Sequence, residues 1–350
     1  MDNPPGASTL NRGWLWLFGI AALFFILAGL QTVNHIVTPF LLAAFLAVIS
    51  ALPLAWMQRI GIPGPIGVVV LFSVVGIGFF LLFLALKGAV EDLATQAPAY
   101  QARLTNWFTD LQAMARDRGV PPELIPAEIP LPDIASITGL ARTLAGGVGQ
   151  SAAFSLMVLL AFMFMLLEER ALLGKLNAVF PGHKRARVRA RRFLRSVNRY
   201  LVIKVLSSLA TGLVVGVGLS LIGVDFAILW AILAGLLNFI PTIGSFIAAI
   251  PAVLIALLGL GVPYAMGVIA LYAVTNVVIG SVLEPRFLGQ SLGLSPLVVL
   301  ISLLVWGWVF GPIGMLLSVP LTMIAKLALE SGPETRWLGI LLSDRVKERA

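Results

Sequence analysis

The sequence predicts an all-α polytopic membrane protein with about eight membrane segments, two of which are broken or form re-entrant hairpins. Three observations support this fold class: the composition, a succession of long apolar runs, and the placement of the few charges. Of the 350 residues, 59% are hydrophobic and 11% are charged, and the mean hydropathy is +1.00. Soluble domains are roughly 45–50% apolar and about 25% charged. The composition therefore excludes a soluble enzyme, a disordered protein and a disulfide scaffold.

Eight apolar runs are long enough to cross a lipid bilayer, which requires about 20 mainly apolar residues. In chain order they are residues 14–33, 36–57, 65–86, 151–167, 201–224, 226–260, 262–283 and 297–329. Because backbone groups in lipid must be satisfied within the segment, we expect helices. No run alternates with a period of two over about ten residues, which argues against an outer-membrane barrel. The first run is long for a signal peptide, and we expect it to be retained.

The charges predict the topology. Eleven of the 24 basic residues lie in 170–204, whereas Asp225 is the only charge in the 79 residues of 205–283. The segment 87–150 holds five basic and seven acidic residues, and the segment 168–199 holds ten basic and two acidic residues. Because cytoplasmic loops are enriched in Lys and Arg, we expect both termini and the basic segment in the cytoplasm and the other segment outside.

Two stretches between the apolar runs have helical periodicity. In the outer segment, apolar residues recur at spacings of four and three: Leu93, Ala97, Tyr100, Leu104, Trp107, Leu111 and Met114. This heptad stripe packs either on the chain's own membrane domain, which we favour, or on a neighbouring protomer. In the basic segment, residues 183–200 place apolar side chains on one face and arginines on the others. Such a helix lies at an anionic lipid surface, or its charges only set the topology.

The two longest apolar runs, 226–260 and 297–329, are interrupted near their middles. Each would be roughly 50 Å long as one helix, against a hydrocarbon core of about 30 Å. Proline removes a backbone donor and glycine permits a bend, so each break exposes backbone groups that are tolerated only beside a cavity. A pair of such segments is the best sequence indication of a transporter site. Re-entrant hairpins and strongly kinked crossings both fit, and we favour hairpins.

The same segments carry a family resemblance. The runs NFIPTIGSFIAAIPAVLIAL (238–257) and LEPRFLGQSLGLSPLVVLISLLVWGWVFGPIGMLLSVPL (283–321) resemble the AI-2E (autoinducer-2 exporter, PerM/UPF0118) transporter family. The run TPFLLAAFLAVISALPLAW (38–56) is similar to that family's second span, so the resemblance covers nearly the whole chain. One departure is Ser245, which stands where many members carry proline.

The resemblance implies a bacterial inner-membrane protein with eight spans that exports small molecules and forms homo-oligomers, a pentamer being the expected number. Some members are linked to quorum-signal export and others to sodium/proton exchange, so the family does not fix the substrate. The chain then divides into six parts. These are the first three transmembrane helices (1–86), an extracytoplasmic helical segment with a Pro-rich linker (87–150), the fourth transmembrane helix (151–167), a cytoplasmic basic amphipathic segment (168–199), a C-terminal transport core (200–330) and a cytoplasmic tail (331–350).

The candidate solute- or ion-binding residues lie at the two breaks and in the segment between them. They are Asn238, Pro241, Thr242, Gly244, Ser245, Asn276, Glu284, Arg286, Gly307, Gly311, Pro312 and Gly314. Amide, hydroxyl and bare backbone groups suit a small, oxygen-rich solute that is neutral or anionic, since helix N-termini favour negative charge. Because a buried Asn is unfavourable in lipid unless it is hydrogen-bonded, Asn276 is expected to face the bundle interior, where it contacts solute or holds helices together.

The charged residues near the core have more than one interpretation. Glu284 and Arg286 flank Pro285, and they are expected to form an ion pair, a gate or a proton site. Asp225 is expected to cap a helix, and Lys204 is expected to extend its ammonium group to the membrane interface.

Several kinds of chemistry are excluded. The string at 289–293 matches G-x-S-x-G, but neither histidine, His35 or His183, is near it and the strand–turn–helix elbow is missing. The chain has no cysteine and no phosphate-binding G-x-x-x-x-G-K-[ST] loop. We therefore predict that the protein has no enzyme activity and binds no cofactor, metal or nucleic acid. We predict a secondary transporter, whose partners are a small polar solute, a proton or sodium, and membrane lipids. A sodium/proton antiporter, a channel and a non-transporting membrane scaffold are the alternatives.

Overall fold

A computed structural model describes residues 12–119, 148–179, 184–241, 243–288, 294–332 and 335–343. The described residues form α1 (Arg12–Thr32), α2 (Asn34–Arg59), α3 (Gly64–Asp117), α4 (Val148–Val179), α5 (Lys184–Ile222), α6 (Ala227–Leu237), α7 (Ile243–Leu260), α8 (Val262–Thr275), a π-helix (Asn276–Leu283), α9 (Glu284–Leu288), α10 (Pro296–Ser331) and α11 (Arg336–Leu341). Thr242, the Pro-rich linker, the 289–293 string and both chain ends lie outside the described residues.

The described chain is helical and strongly apolar, which confirms an all-α polytopic membrane protein. Six of its helices are long and apolar enough to cross a membrane, and three shorter apolar helices, 17–32, 153–168 and 227–237, accompany them. Large apolar side chains such as Phe25 and Leu221 are exposed on the bundle surface. Because exposing such groups to water is unfavourable by about 25 cal/mol per Å², this surface suits lipid.

Two helices continue well beyond their apolar runs. The 54-residue α3 joins the apolar run 65–86 to the outer segment and passes through Pro98 without ending. Likewise, α5 joins the basic segment to the apolar run that follows it. The change from apolar to polar side chains at these points marks a change of surroundings and not a helix end. We call residues 87–117 of α3 the arm.

The arm packs on the chain's own membrane domain over the first half of the heptad stripe, which is the alternative we favoured. Ala97 and Tyr100 are buried, and Leu93 packs against the core cluster formed by α5 to α8. Farther along the arm, Trp107 and Met114 are exposed. The stripe therefore has a packed part near the bundle and a free part beyond it.

The contact of the arm with the bundle corrects the role predicted for Asp225. The Tyr100 hydroxyl donates a hydrogen bond to the Asp225 carboxylate, and the two rings of Tyr100 and Phe226 lie 6.2 Å apart. Asp225 does not cap α6, because Phe226 occupies the N-cap position with a left-handed φ of 59° and, among the described residues, no side chain caps that helix end. The carboxylate instead holds the arm.

The first broken segment is a hairpin, which we call hairpin A (227–260). Its helices α6 and α7 pack against each other, and both of its ends lie at the arm. Phe226 precedes α6 and contacts Tyr100. Near the end of α7, a Cβ atom built on Gly259 would lie 3.7 Å from the Tyr100 hydroxyl oxygen. We call this end of the bundle the arm end.

The second broken segment is also a hairpin, which we call hairpin B (296–331). Gly311 interrupts the helix with φ 65° and ψ −147°. The Trp306 indole donates to Thr322 Oγ1 at 2.9 Å, although these residues are 16 positions apart. In a continuous helix they would be about 24 Å apart, so the two halves must run antiparallel.

Hairpin B opens at the opposite end of the bundle from hairpin A. Leu294, just before it, packs with Val197 and Tyr200 from the part of α5 that carries Arg195 and Arg199. The Ser295 amide donates to the Leu342 carbonyl at 3.1 Å, which keeps the chain after the hairpin at this same end. We call it the basic end.

Small residues bring hairpin A close to α5. A Cβ atom on Gly212 would lie 3.0 Å from the Ala231 carbonyl oxygen, and one on Gly235 would lie 3.2 Å from the Ser208 carbonyl oxygen. On α5, Gly212 and Gly216 are four residues apart, as Ala231 and Gly235 are on α6. This is the small-xxx-small pattern that lets membrane helices pack backbone to backbone.

We predict that Gly244→Ala and Gly314→Ala each lower the free energy of unfolding by about 1–3 kcal/mol, the usual range for overpacking. An added Cβ would lie 1.8 Å from the Leu237 carbonyl oxygen in the first case and 1.8 Å from the Trp306 carbonyl oxygen in the second, so the hairpin backbone must move apart. Thermal unfolding of the detergent-solubilised protein, followed by tryptophan fluorescence, measures the effect.

The matched control for both variants is Gly78→Ala, because a Cβ atom there has nothing within 4 Å. In a helix this change is expected to stabilise by roughly 0.5–1 kcal/mol. Equal melting temperatures for the three variants would contradict the close turns of both hairpins.

Candidate functional site

The turn of hairpin A carries polar side chains that bond to neighbouring helices inside the bundle. Asn238 follows α6 and is buried, and its side-chain amide donates to Ser208 Oγ of α5 at 3.1 Å. Ser245, in the first turn of α7, donates to Asn276 Oδ1 at 3.1 Å. These two hydrogen bonds fasten the turn to helices on either side of it.

The described backbone amides of the turn, from Asn238 to Gly244, donate hydrogen bonds within hairpin A. The Ile240 amide donates to Leu237 at 2.9 Å and the Gly244 amide donates to Ile240 at 3.3 Å. Pro241 has no amide hydrogen to donate. Gly244 is buried because the Leu237 carbonyl passes directly over its Cα atom. The glycine thus permits the reversal that proline and the end of α6 begin.

A small cavity lies beside this turn. Its free volume is about 10 Å³, the size of roughly one water molecule. Among the described residues, eight line it, six of them have polar side chains and none carries a charged group; they are Thr211, Val215, Ala234, Asn238, Ser245, Tyr272, Thr275 and Asn276. The structure therefore brings three of the predicted residues, Asn238, Ser245 and Asn276, to one polar centre.

Sequence reasoning missed three members of this centre: Ser208, Thr211 and Tyr272. A signal for two of them is present on α5, where Lys204, Ser208 and Thr211 recur at spacings of four and three along an apolar helix. That spacing places them on one helix face, and a polar face on a membrane helix normally lines the bundle interior. Tyr272 gives no such signal, because its ring fits an apolar run equally well.

A π-helix links this cavity to the basic end. It begins at Asn276, which lines the cavity, and ends at Leu283, directly before Glu284. π-helical turns are rare and frequently lie at functional sites. Gly280 is one turn from Asn276, and a Cβ atom there would lie 3.1 Å from Asn276 Oδ1. Gly280 therefore leaves space for the Asn276 side chain within the π-helical turn.

Glu284 is paired with Lys204 in the bundle interior. Lys204 Nζ lies 2.8 Å and 3.0 Å from the two carboxylate oxygens, and the side chains are 5% and 13% exposed. Ser207 Oγ lies 3.4 Å from the same carboxylate. The expectation that Lys204 extends to the interface is wrong, because the Glu284 carboxylate within its reach provides a partner inside the bundle.

The predicted pair of Glu284 and Arg286 does not form. Residues two positions apart on a helix point to different faces, and the Arg286 side chain is exposed. Arg199 reinforces the contact between α5 and α9 instead, by donating to the Phe287 carbonyl oxygen at 2.8 Å.

The cavity and the ion pair are neighbours along α5. Ser208 binds Asn238 at the cavity, and Ser207 binds Glu284 at the ion pair. A neutral polar centre is thus followed, towards the basic end, by a charged contact that closes the space between α5 and α9.

The candidate residues of hairpin B form its turn and do not line the cavity. Gly311 supplies the positive φ and Pro312 follows it. Gly314 lies against the Trp306 carbonyl, and a Cβ atom on Gly307 would lie 2.8 Å from Met315 Cγ. Among the described residues, no group of three His, Cys, Asp or Glu is placed to hold a metal ion.

We predict that Glu284→Gln lowers the free energy of unfolding by about 3–5 kcal/mol, because it leaves the Lys204 charge buried without a partner. The double variant Lys204→Met with Glu284→Gln is expected to recover most of this loss, since no charge then remains. Thermal unfolding of the single and double variants measures both effects.

The control is the exposed pair of Lys87 and Glu91 on α3, whose side chains are 49% and 61% exposed. Glu91→Gln is expected to change stability by less than about 0.5 kcal/mol, as for other surface pairs. If Glu284→Gln were as mild as Glu91→Gln, the ion pair could not be a closed, desolvated contact.

Comparison with known proteins agrees with this architecture. The family model described as AI-2E family transporter matches residues 17–334. The chain is 36% identical over 340 residues to the AI-2 transport protein TqsA of Escherichia coli (strain K12), covering 97% of this chain and 98% of that protein. It is 35% identical over 328 residues, 93% of each chain, to the protein called "Putative transport protein YhhT" of the same strain.

A more distant relative is the sodium-lithium/proton antiporter of Halobacillus andaensis, which is 25% identical over 351 residues, 92% of this chain and 96% of that protein. The family match spans both hairpins, the cavity and the ion pair. The chain, a multi-pass bacterial membrane protein, belongs to the AI-2E family of transporters.

Proposed function

We propose that this secondary transporter exports small polar solutes, among them an autoinducer-2-like signal, across the bacterial inner membrane without ATP. The observation that carries the proposal is the polar cavity at the turn of hairpin A. It is neutral in its described lining, it is surrounded by apolar helices, and it lies at the turn where a membrane helix is broken. The name of TqsA supports the identity of the solute.

Solute passage requires that the cavity open alternately to each end of the bundle. Towards the arm end it is closed by hairpin A itself, which Tyr100 and Asp225 fasten to the arm. Towards the basic end we assign the gate to Lys204 and Glu284. A cavity of about 10 Å³ admits no solute larger than water, so hairpin A must move away from α5 and α8 for loading.

The proposed orientation places the basic end and both termini in the cytoplasm and the arm outside. The excess of Lys and Arg in 168–199 supports it, because such residues are retained on the cytoplasmic side. We also propose a homo-oligomer, a pentamer in number, that is embedded in lipid through the exposed apolar surfaces. The six-part division of the chain stands within this proposal, with 200–330 as the transport core, and no catalytic step is assigned to any residue.

The first test is solute efflux from proteoliposomes that contain the purified protein and are loaded with autoinducer-2. We expect Asn238→Ala, Ser245→Ala and Asn276→Ala each to lower the efflux rate by about tenfold, because each removes a hydrogen bond at the cavity. The matched control is Ser220→Ala, an exposed serine of α5 whose hydroxyl donates to the Gly216 carbonyl of its own helix. It is expected to leave the rate unchanged.

A membrane scaffold is the competing function, and the free part of the arm is the surface it would use. That function predicts loss of activity in cells from Trp107→Ala with Met114→Ala, while the three cavity variants remain silent. Transport predicts the reverse pattern. The absence of flux of autoinducer-2 and of other small polar solutes, with and without a pH or sodium gradient, would refute the transport proposal.

Sodium/proton exchange is a second candidate function, and the largely buried carboxylate of Glu284 favours it. Glu284 is the one carboxylate that the structure places in a buried contact beside the cavity helices, within the residues it describes. An exchanger is expected to dissipate an imposed pH gradient on addition of sodium or lithium, as reported by a pH-sensitive dye in proteoliposomes. Glu284→Gln would abolish this response, whereas Glu91→Gln would retain it. A wild-type protein without any sodium or lithium response would exclude the exchange.

A further inference from the structure

Tyr272 of α8 carries a buried hydroxyl group that lines the cavity at hairpin A. The residue is 6% exposed, and its hydroxyl has no hydrogen-bond partner among the described residues. A buried hydroxyl that makes no hydrogen bond is unfavourable by about 1–3 kcal/mol. Ser318 has the other such hydroxyl in the described part of the chain, but it does not line the cavity at hairpin A, whereas Tyr272 does.

The surroundings of Tyr272 complete a set of neutral hydrogen-bonding groups. Asn238 and Asn276 offer amide groups, and Thr211 and Ser245 offer hydroxyls, around the same cavity. Asn276 Oδ1 already accepts a hydrogen bond from Ser245. An amide oxygen has two lone pairs, so it can accept a second one. Donors and acceptors therefore face one small space.

The charges around this space decide the class of ligand. None of the described lining residues carries a charged group, and Lys204, the buried cation of α5, is neutralised by Glu284. The N-terminus of α7 favours negative charge, but its effect amounts to roughly half an elementary charge. Moving a carboxylate out of water without a paired cation is unfavourable by several kcal/mol. The cavity therefore favours neutral ligands over anions.

We propose that the Tyr272 hydroxyl donates a hydrogen bond to a neutral, hydroxyl-bearing solute, and that this contact selects neutral polyols over the corresponding acids. A solute hydroxyl accepts from Tyr272 and donates to the amide oxygen of Asn276 or Asn238, so every group in the contact is paired. The inference rests on the proposed transport function. It narrows the expected solutes, which the sequence left as neutral or anionic molecules, to neutral molecules. It also adds a residue outside the two broken segments.

The experiment measures efflux from proteoliposomes for matched neutral and anionic solutes: erythritol and D-ribose against erythronate and D-ribonate, each radiolabelled. We expect the wild-type protein to carry a neutral member and not its acid. Tyr272→Phe removes only the hydroxyl and is expected to raise the KM for the neutral solute about two- to tenfold with little change in the maximal rate. Tyr264→Phe, on the same helix but 48% exposed, is the matched control and is expected to behave as wild type.

A ligand-free melting temperature separates solute contact from a structural role. Because the Tyr272 hydroxyl has no partner in the described part of the chain, Tyr272→Phe is expected to melt at or above the wild-type temperature. By contrast, Tyr100→Phe loses the hydrogen bond to Asp225 and is expected to melt at a lower temperature. A drop for Tyr272→Phe equal to that for Tyr100→Phe would overturn the assignment. So would an unchanged KM in Tyr272→Phe.

Failure of this inference is distinguishable from failure of the proposed function. If the protein moves autoinducer-2 but neither neutral polyol, or prefers the acids, the transport function stands and the inference is overturned. If it moves no solute, both fall together. A last outcome is that sodium chloride raises the melting temperature of the wild-type protein more than choline chloride does, and that Tyr272→Phe loses this difference. That result would assign the cavity to a cation and would also overturn the inference.

Discussion

The backbone contact between α5 and the first helix of hairpin A is the constraint on which the site depends. Gly212 and Gly235 allow the two helices to touch through backbone atoms, because neither carries a side chain to separate them. Between membrane helices there is little hydrophobic driving force, so close packing and hydrogen bonds must hold them. This contact is what places Asn238 within hydrogen-bonding distance of Ser208.

The polar groups of the core then pair in sequence along α5. Ser208 binds Asn238 at the cavity, Ser207 binds Glu284, and Glu284 binds Lys204. Each group would be unfavourable in an apolar bundle if it were alone, and each is compensated by the partner that it binds. A movement that separates hairpin A from α5 must break Asn238–Ser208, whereas separation of α9 from α5 breaks the ion pair. The two ends of the site can therefore open by different movements.

The two hairpins reverse the chain with the same local backbone arrangement, but they open at opposite ends of the bundle. In each, a glycine just after the turn lies under a carbonyl of the preceding helix, Leu237 for Gly244 and Trp306 for Gly314. Hairpin A opens at the arm end and hairpin B at the basic end. Irregular backbone at membrane depth is tolerated only where protein or a cavity surrounds it. Gly244 and Gly314 are buried at their turns, as this requires.

The sequence by itself determined the fold class, the apolar segments and the positions of both breaks, because these follow from local composition, Pro and Gly chemistry and the length of a helix in lipid. It also identified Asn238, Ser245 and Asn276, since polar side chains in long apolar runs are conspicuous. Only the tertiary structure decided that Glu284 pairs with Lys204 and not with Arg286, and that Asp225 binds Tyr100 and does not cap α6. It alone showed that Tyr272 belongs to the cavity. These contacts join residues 80 to 125 positions apart, and a local pattern carries no information about such pairs.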